Sequence, residues 1–171
     1  MKKSLKIGAF LLFTLAMCLH AESDTTVSSA LPTTSDILLD IERVKVERDI
    51  DTRVPLTDHM LDDLYTVWDR SAMSTIGDEV ITELASLLDD DDDWIRASAA
   101  AGIGYFGPRA RRLAPALERA LERAESENRK SSLLFSSGVD SAAAIGPALK
   151  RIQGIPDSEI FGDPPKPDGM Q

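Results

Sequence analysis

Gly102-Ile103-Gly104-Tyr105-Phe106-Gly107 spaces its glycines as G-x-G-x-x-G, the spacing with which backbone N–H groups cradle a pyrophosphate. That use needs a strand before the first glycine and a helix opening at the glycines. Here the small residues ASAAA precede them and Pro108 follows, so the glycines close a helix and make no dinucleotide site. Asp89 to Asp93 sets five carboxylates in a row, and carboxylates are natural calcium ligands. The run lacks the glycine and the distal glutamate of a calcium loop, and five adjacent side chains cannot all face one ion. It has the pattern of a solvated turn between helices. His59 stands beside Asp58, Asp62 and Asp63. A four-residue spacing joins Asp58 to Asp62 and His59 to Asp63, so either pair could hold a weakly bound metal on one helix face. With His20 the only other histidine, a wet helix face is the plainer expectation, and neither metal nor cofactor is expected.

Leu133 to Ser141, LLFSSGVDS, resembles the pyrophosphate loop of ATP pyrophosphatases, with Ser137 where that family has its first glycine. That loop works inside a parallel α/β sheet, which the 30 residues after Ser141 are too few to build. The alternative places Leu133, Leu134, Val139, Ala142 and Ile145 on the buried side of one helix, with Gly138 a close contact or kink. Nucleophilic catalysis has little foothold, because Cys18 is the only cysteine and no G-x-S-x-G elbow occurs. No enzyme is expected.

The first residues indicate a destination. Met1-Lys2-Lys3 and Lys6 form a basic start, Ile7 to Leu19 an apolar run, and Ala21 a small residue suited to cleavage. The run is shorter than the about 20 apolar residues that span a bilayer. Residues 1–21 are therefore expected to be a secretory signal peptide, leaving a periplasmic or secreted chain without a membrane span. A second route stays open, since Leu15-Ala16-Met17-Cys18 resembles a bacterial lipobox and implies lipid attachment at Cys18. On the first route no cysteine remains, and the core must stand on packing without disulfides. Residues 1–21 hold three of the 19 Lys and Arg and none of the 29 Asp and Glu, leaving 16 against 29, a net charge of −13. Such a charge disfavours nucleic acid and anionic membranes and suits a protein partner, a basic one most easily.

The elements that must position these residues are helical, because apolar residues recur at helical rather than alternating spacing. Ser35 and Asp36 are placed to cap a helix with Ile37, Leu38, Ile41 and Val44 inward. Thr57 is placed to cap a second, with Met60, Leu61, Leu64, Val67 and Trp68 on its apolar stripe. A third is expected from Asp78 to Leu88, burying Val80, Ile81, Leu84, Leu87 and Leu88. A fourth runs from about Asp92 to Gly107-Pro108. A fifth, from Arg109 to about Glu125, buries Leu113, Leu117, Ala120, Leu121 and Ala124. Two more are expected at 131–145 and 147–152. Residues 22–34 have the composition of a flexible linker, and residues 154–171, with four prolines, that of a disordered tail. A helical repeat domain is left at 35–153.

Self-similarity gives that domain a plan. Gly107-Pro108 follows a run of small residues, and Gly146-Pro147 follows another 39 residues later. A period near 40 with two helices per unit is the size of a HEAT repeat. Leu87-Leu88, the acidic run and WIRASAAAGIGYFGPRA resemble the HEAT-like repeats of phycobilisome lyases and many bacterial proteins. In those repeats a Leu-Leu helix end and an Asp-containing turn precede an aromatic or Val, a branched residue, Arg, Ala-Ala and Leu-Gly-x-x-Gly. Asp92, Trp94, Ile95, Arg96, Ala99, Ala100, Ile103, Gly104 and Gly107 follow that order. The likeness is closest over 78–125, weaker over 131–152 and faint over 55–76. It implies an all-α chain folded as a short right-handed α-solenoid of HEAT-like helical hairpins. Residue chemistry fits: Asp92 or Asp93 can cap the helix that Trp94 begins, and Gly104 and Gly107 permit close packing and a left-handed helix end. Pro108 suits the first turn of the next helix. The resemblance further implies that Arg96 pairs with an acidic residue of a neighbouring turn.

In stacked helix pairs the second helices line a concave surface. The solvent-side residues expected there are Glu79, Thr82, Glu83 and Ser86 from one helix and Arg112, Arg119 and Arg123 from the next. The expected function is that of an exported, non-catalytic protein–protein interaction module, a scaffold or adaptor. Two alternatives stay open: a periplasmic immunity- or inhibitor-type protein that neutralises a basic toxin or enzyme, and an envelope lipoprotein scaffold.

Overall fold

Thr33 opens the first helix with a capping box. Its side chain accepts the Asp36 N–H while the Asp36 carboxylate accepts the Thr33 N–H at 2.9 Å, so two otherwise unpaired donors are satisfied together. Asp36 is therefore the third helical residue and not the cap, and neither is Ser35. The computed structural model describes residues 30–132 and 141–162, and the regular structure among them is all helical. The elements are α1 (Thr34–Val46), α2 (Ile50–Asp69), α3 (Asp78–Ser86), α4 (Asp93–Tyr105), α5 (Ala114–Ser132), α6 (Ser141–Ile152) and α7 (Asp157–Phe161). Short 3₁₀ turns intervene at Met73–Thr75, Leu87–Asp89 and Gly107–Leu113. All belong to the unit at 31–171. The expected signal peptide with Cys18, most of the expected linker, the stretch 133–140 and the residues from 163 lie outside the described residues.

The central helix is α4, which packs on α2, α3 and α6. Its buried residues are mostly small: Ala97, Ser98, Ala99, Ala100, Gly102 and Gly104. A Cβ on Gly102 would lie 2.9 Å from Leu64 Cδ1, and one on Gly104 would lie 3.1 Å from both Cα and Cβ of Ala148. The close approach of α4 to its neighbours thus depends on glycine. Around it α1 packs on α2 and α3, and α5 packs on α6. Ile37 and Ile41 of α1, Met60 and Leu64 of α2, Ile81 and Leu84 of α3 and Ile145 of α6 join one core. Each such side chain contributes about 1.5–3 kcal/mol of hydrophobic stabilisation.

Several boundaries differ from expectation. α2 begins at Ile50, with Pro55 inside it. Thr57 is buried there, its hydroxyl donating to the Arg53 carbonyl at 2.8 Å, a mid-helix contact instead of a cap. Proline removes the hydrogen bond to the residue four back. For Pro55 that residue is Asp51, which is exposed, so water can take the carbonyl. The same holds in α6, where Gly146-Pro147 lies within the helix and ends nothing. Pro147 deprives Ala143, again an exposed residue. Gly107-Pro108, by contrast, does end α4, with Gly107 in the left-handed region at φ 54°. The fifth helix proper starts at Ala114, after the 3₁₀ turn, and runs past Glu125 to Ser132. Ion pairs between Arg123 and Glu127 (2.9 Å) and between Arg129 and Glu125 (3.8 Å) extend it. Beyond Gly154 the chain adds α7, which Arg151 holds through Asp157 at 2.7 Å.

Candidate interaction surface and polar clusters

The residues expected on a partner-binding surface lie on α3 and on Gly107–Leu113 with α5. These are the earlier helices of the pairs α3/α4 and α5/α6, not the later ones. Arg112 Nη2 donates to Thr82 Oγ1 at 3.0 Å, which brings the two groups together. Glu83 pairs with Lys45 of α1 at 2.7 Å, and the Ser86 hydroxyl donates to the Glu83 carbonyl at 2.6 Å. Arg123 pairs with Glu127 at 2.9 Å and with Asp91 at 3.8 Å. Glu79 and Arg119 are exposed. Thr82, Glu83 and Arg112 thus help to hold the earlier elements to one another.

The acidic turn is an arginine clamp. Asp92 caps α4, its Oδ1 accepting the N–H groups of Trp94 at 2.9 Å and Ile95 at 3.1 Å. Arg96, only 1% exposed, donates from Nη1 to the carbonyls of Asp90 at 2.7 Å and Asp91 at 3.0 Å. Its Nη2 meets the carboxylates of Asp93 and of Glu127 on α5. The guanidinium thereby ties the turn to α5, through a glutamate that lies on a helix and not on a neighbouring turn. From the other side Arg53 of α2 forks onto Asp90 at 2.5 and 3.3 Å and donates from Nε to the Val44 carbonyl at 2.9 Å. Burial pushes the Asp90 carboxyl pKa up, but the hydrogen bonds from Arg53 and the Asp92 N–H hold it below the ordinary aspartate value. Burial likewise raises Glu127, and the hydrogen bonds from Arg123 and Arg96 bring it below the ordinary glutamate value.

A second cluster was hidden from sequence reasoning. Tyr65 and Trp68 of α2 meet Tyr105 of α4, with ring centroids 5.7 Å apart for Tyr65–Trp68, 6.1 Å for Tyr65–Tyr105 and 5.3 Å for Trp68–Tyr105. The Arg151 guanidinium of α6 lies 5.4 Å from Trp68, 5.6 Å from Tyr105 and 5.2 Å from Phe161 of α7. Asp157 fixes that guanidinium with two bonds of 2.7 and 3.2 Å. Tyr65 is 47% and Phe161 61% exposed. A cavity of about 270 Å³ opens beside the row, lined by Trp68, Tyr105, Arg151 and Asp157. Only the helical stripe ending in Trp68 and the Tyr105 within the glycine string hinted at these rings. Nothing in the spacing joined them.

The third cluster lies between α1 and α2. Asp40 of α1 is 5% exposed and accepts from Arg43 Nη1 at 3.1 Å, while its Oδ2 lies 3.0 Å from His59 Nδ1. Asp63 Oδ2 lies 4.0 Å from the same nitrogen. One ligand atom each from Asp40, His59 and Asp63 fall within 4.8 Å of one another. Of the two four-residue spacings around His59, the structure brings only His59–Asp63 into this group. Asp58 instead accepts the Trp94 indole N–H at 2.7 Å, a link from α2 to α4. A groove of about 420 Å³ adjoins, lined by Asp40, Arg43, Thr52, Pro55, Leu56 and His59. Among the described residues no helix is long and apolar enough to cross a membrane. No family model, no curated protein and no solved structure matches the chain.

Proposed function

We propose that the chain is an exported, non-catalytic protein-interaction module built as a short solenoid of HEAT-like helix pairs. The order of neighbours supports the solenoid: α2 contacts α4 and α4 contacts α6, while α1 contacts α3 and each helix touches its own pair-mate. Trp68, Tyr105 and Arg151 all stand at or near the C-terminal ends of α2, α4 and α6, and they meet. These later helices therefore run side by side in the same direction, as second helices of stacked repeats do.

The observation that carries the function is the aromatic row across those later helices. Tyrosine, tryptophan and arginine dominate binding energy at protein interfaces, and the two aromatics bury large area with little loss of side-chain freedom. Tyr65 and Phe161 leave two rings in water, and the exposed Asp62 and Asp69 flank the α2 end of the row. A partner offering apolar and basic side chains fits that chemistry. The test is affinity capture from envelope extract with the chain from residue 22 as bait and mass spectrometry as readout. One protein should be enriched, lost with Tyr65→Ala plus Phe161→Ala and kept with Arg112→Glu plus Arg119→Glu. The reverse pattern would move the contact surface to α3 and α5. No enriched protein at all would sink the reading.

A further inference from the structure

We propose that Asp40, His59 and Asp63 form a binding site for a divalent transition-metal ion of the zinc class, which ties α1 to α2. The donors are one imidazole nitrogen and two carboxylate oxygens from two different helices, a mixed set and not a bare acidic patch. His59 and Asp63 stand four residues apart on α2, the spacing that puts two ligands over one helix turn. Asp40 comes from α1 to complete a set whose ligand atoms lie within 4.8 Å of one another.

Coordination geometry allows the fit. A tetrahedral ion with bonds of about 2.1 Å keeps its ligand atoms roughly 3.4 Å apart. Asp40 Oδ2 and His59 Nδ1 are already at 3.0 Å, and Asp63 at 4.0 Å needs only a small side-chain rotation. Among the described residues Asp63 has no partner but that long approach to His59. Its half-buried carboxylate stands among those of Asp40, Asp36 and Asp62. A cation would relieve that crowding. Arg43 holds Asp40 Oδ1 at 3.1 Å, which aims Oδ2 at the imidazole, as outer-sphere donors orient metal ligands.

The donor set also selects the ion. Calcium and magnesium take about six to eight oxygen ligands and have no use for imidazole, whereas zinc and its neighbours bind nitrogen and carboxylate together. Three protein ligands leave a coordination position open. Two of the three ligands, Asp40 and His59, also line the groove with Thr52, Pro55 and Leu56. Binding at Nδ1 leaves the proton of the neutral imidazole on Nε2.

The experiment is titration of the full chain, carrying Cys18→Ser to remove the lone thiol, with zinc chloride at neutral pH by calorimetry. A parallel thermal melt is followed by circular dichroism. One ion per chain should bind at micromolar zinc and raise the melting temperature. His59→Gln and Asp63→Asn change exposed or half-buried side chains and should keep the helical spectrum, yet each should weaken binding by about ten-fold or more and abolish the thermal shift. No heat of binding in the parent chain would overturn the proposal. So would zinc binding that both variants leave unchanged, since it would place the ion elsewhere, the acidic turn included.

Discussion

Two acidic groups in this molecule have opposite fates. At Asp89–Asp93 arginines converge on the carboxylates: Arg53 from α2, Arg96 from α4 and Arg123 from α5. At Asp40 and Asp63 a single arginine, Arg43, reaches one oxygen, and the remaining charge faces a histidine and a groove. The richer run is the one already neutralised. The difference teaches that the count of carboxylates in a string says little about ligand binding. What decides it is how many cations the fold delivers from elsewhere, and Arg53 arrives across 37 residues of chain.

The sharpest way to break that comparison is to empty the clamp. Arg96→Ala removes a buried guanidinium that serves two carbonyls and two carboxylates. Losing one partner of such a network costs about 3–5 kcal/mol, and the low end, about 3 kcal/mol, applies because Asp93 and Glu127 are partly hydrated. Urea unfolding should show the midpoint fall with an unchanged slope. A loss under about 1 kcal/mol would mean the clamp is ornamental.

Acid offers a graded version. Asp90 and Glu127 have folded pKa values below their ordinary ones. Their contribution is therefore complete above the ordinary carboxylate range, about pH 4.3, and is lost as pH falls through the lower folded values. Stability measured from neutrality downward should hold and then drop below about pH 4. In Arg96→Ala the drop should be shallower, because Glu127 loses one of the bonds that lowers it.

Asp63 should behave in the opposite sense, and its effect is the smallest. Its folded pKa is raised, so its charge opposes folding at neutral pH and protonation removes that opposition. Without added metal, Asp63→Asn should leave stability unchanged or raise it by about half a kcal/mol at most. A clear loss in urea unfolding would show that Asp63 is as fully paired as the clamp carboxylates.

Much of the fold was legible where a residue's role is local. The stripes of α1 to α5, the Asp92 cap and the left-handed Gly107 follow from periodicity and helix-end chemistry. The errors came from prolines. The break expected at Gly146-Pro147 is absent, and α2 begins ahead of Pro55 where a cap was expected at Thr57, because each proline deprives only a water-facing carbonyl and the helix passes through. The 39-residue echo of Gly-Pro likewise marks a helix end once and a helix interior the second time. The sites were less legible because they are assembled across helices. Asp40 joins His59 from α1, and Arg151 joins Trp68 and Tyr105 from α6. No spacing rule links positions set 19 or 83 residues apart.

Gly104 gives the interior a mechanical connection to the surface. A methyl group there would press on the backbone of Ala148 at 3.1 Å and touch Arg151 Cδ at 3.6 Å. Ala148 lies less than one turn before Arg151 on the same helix, so pushing α6 outward would carry the guanidinium away from its rings. The width of one gap inside the bundle is thus transmitted, without any moving part, to the spacing of the aromatic row on its outside.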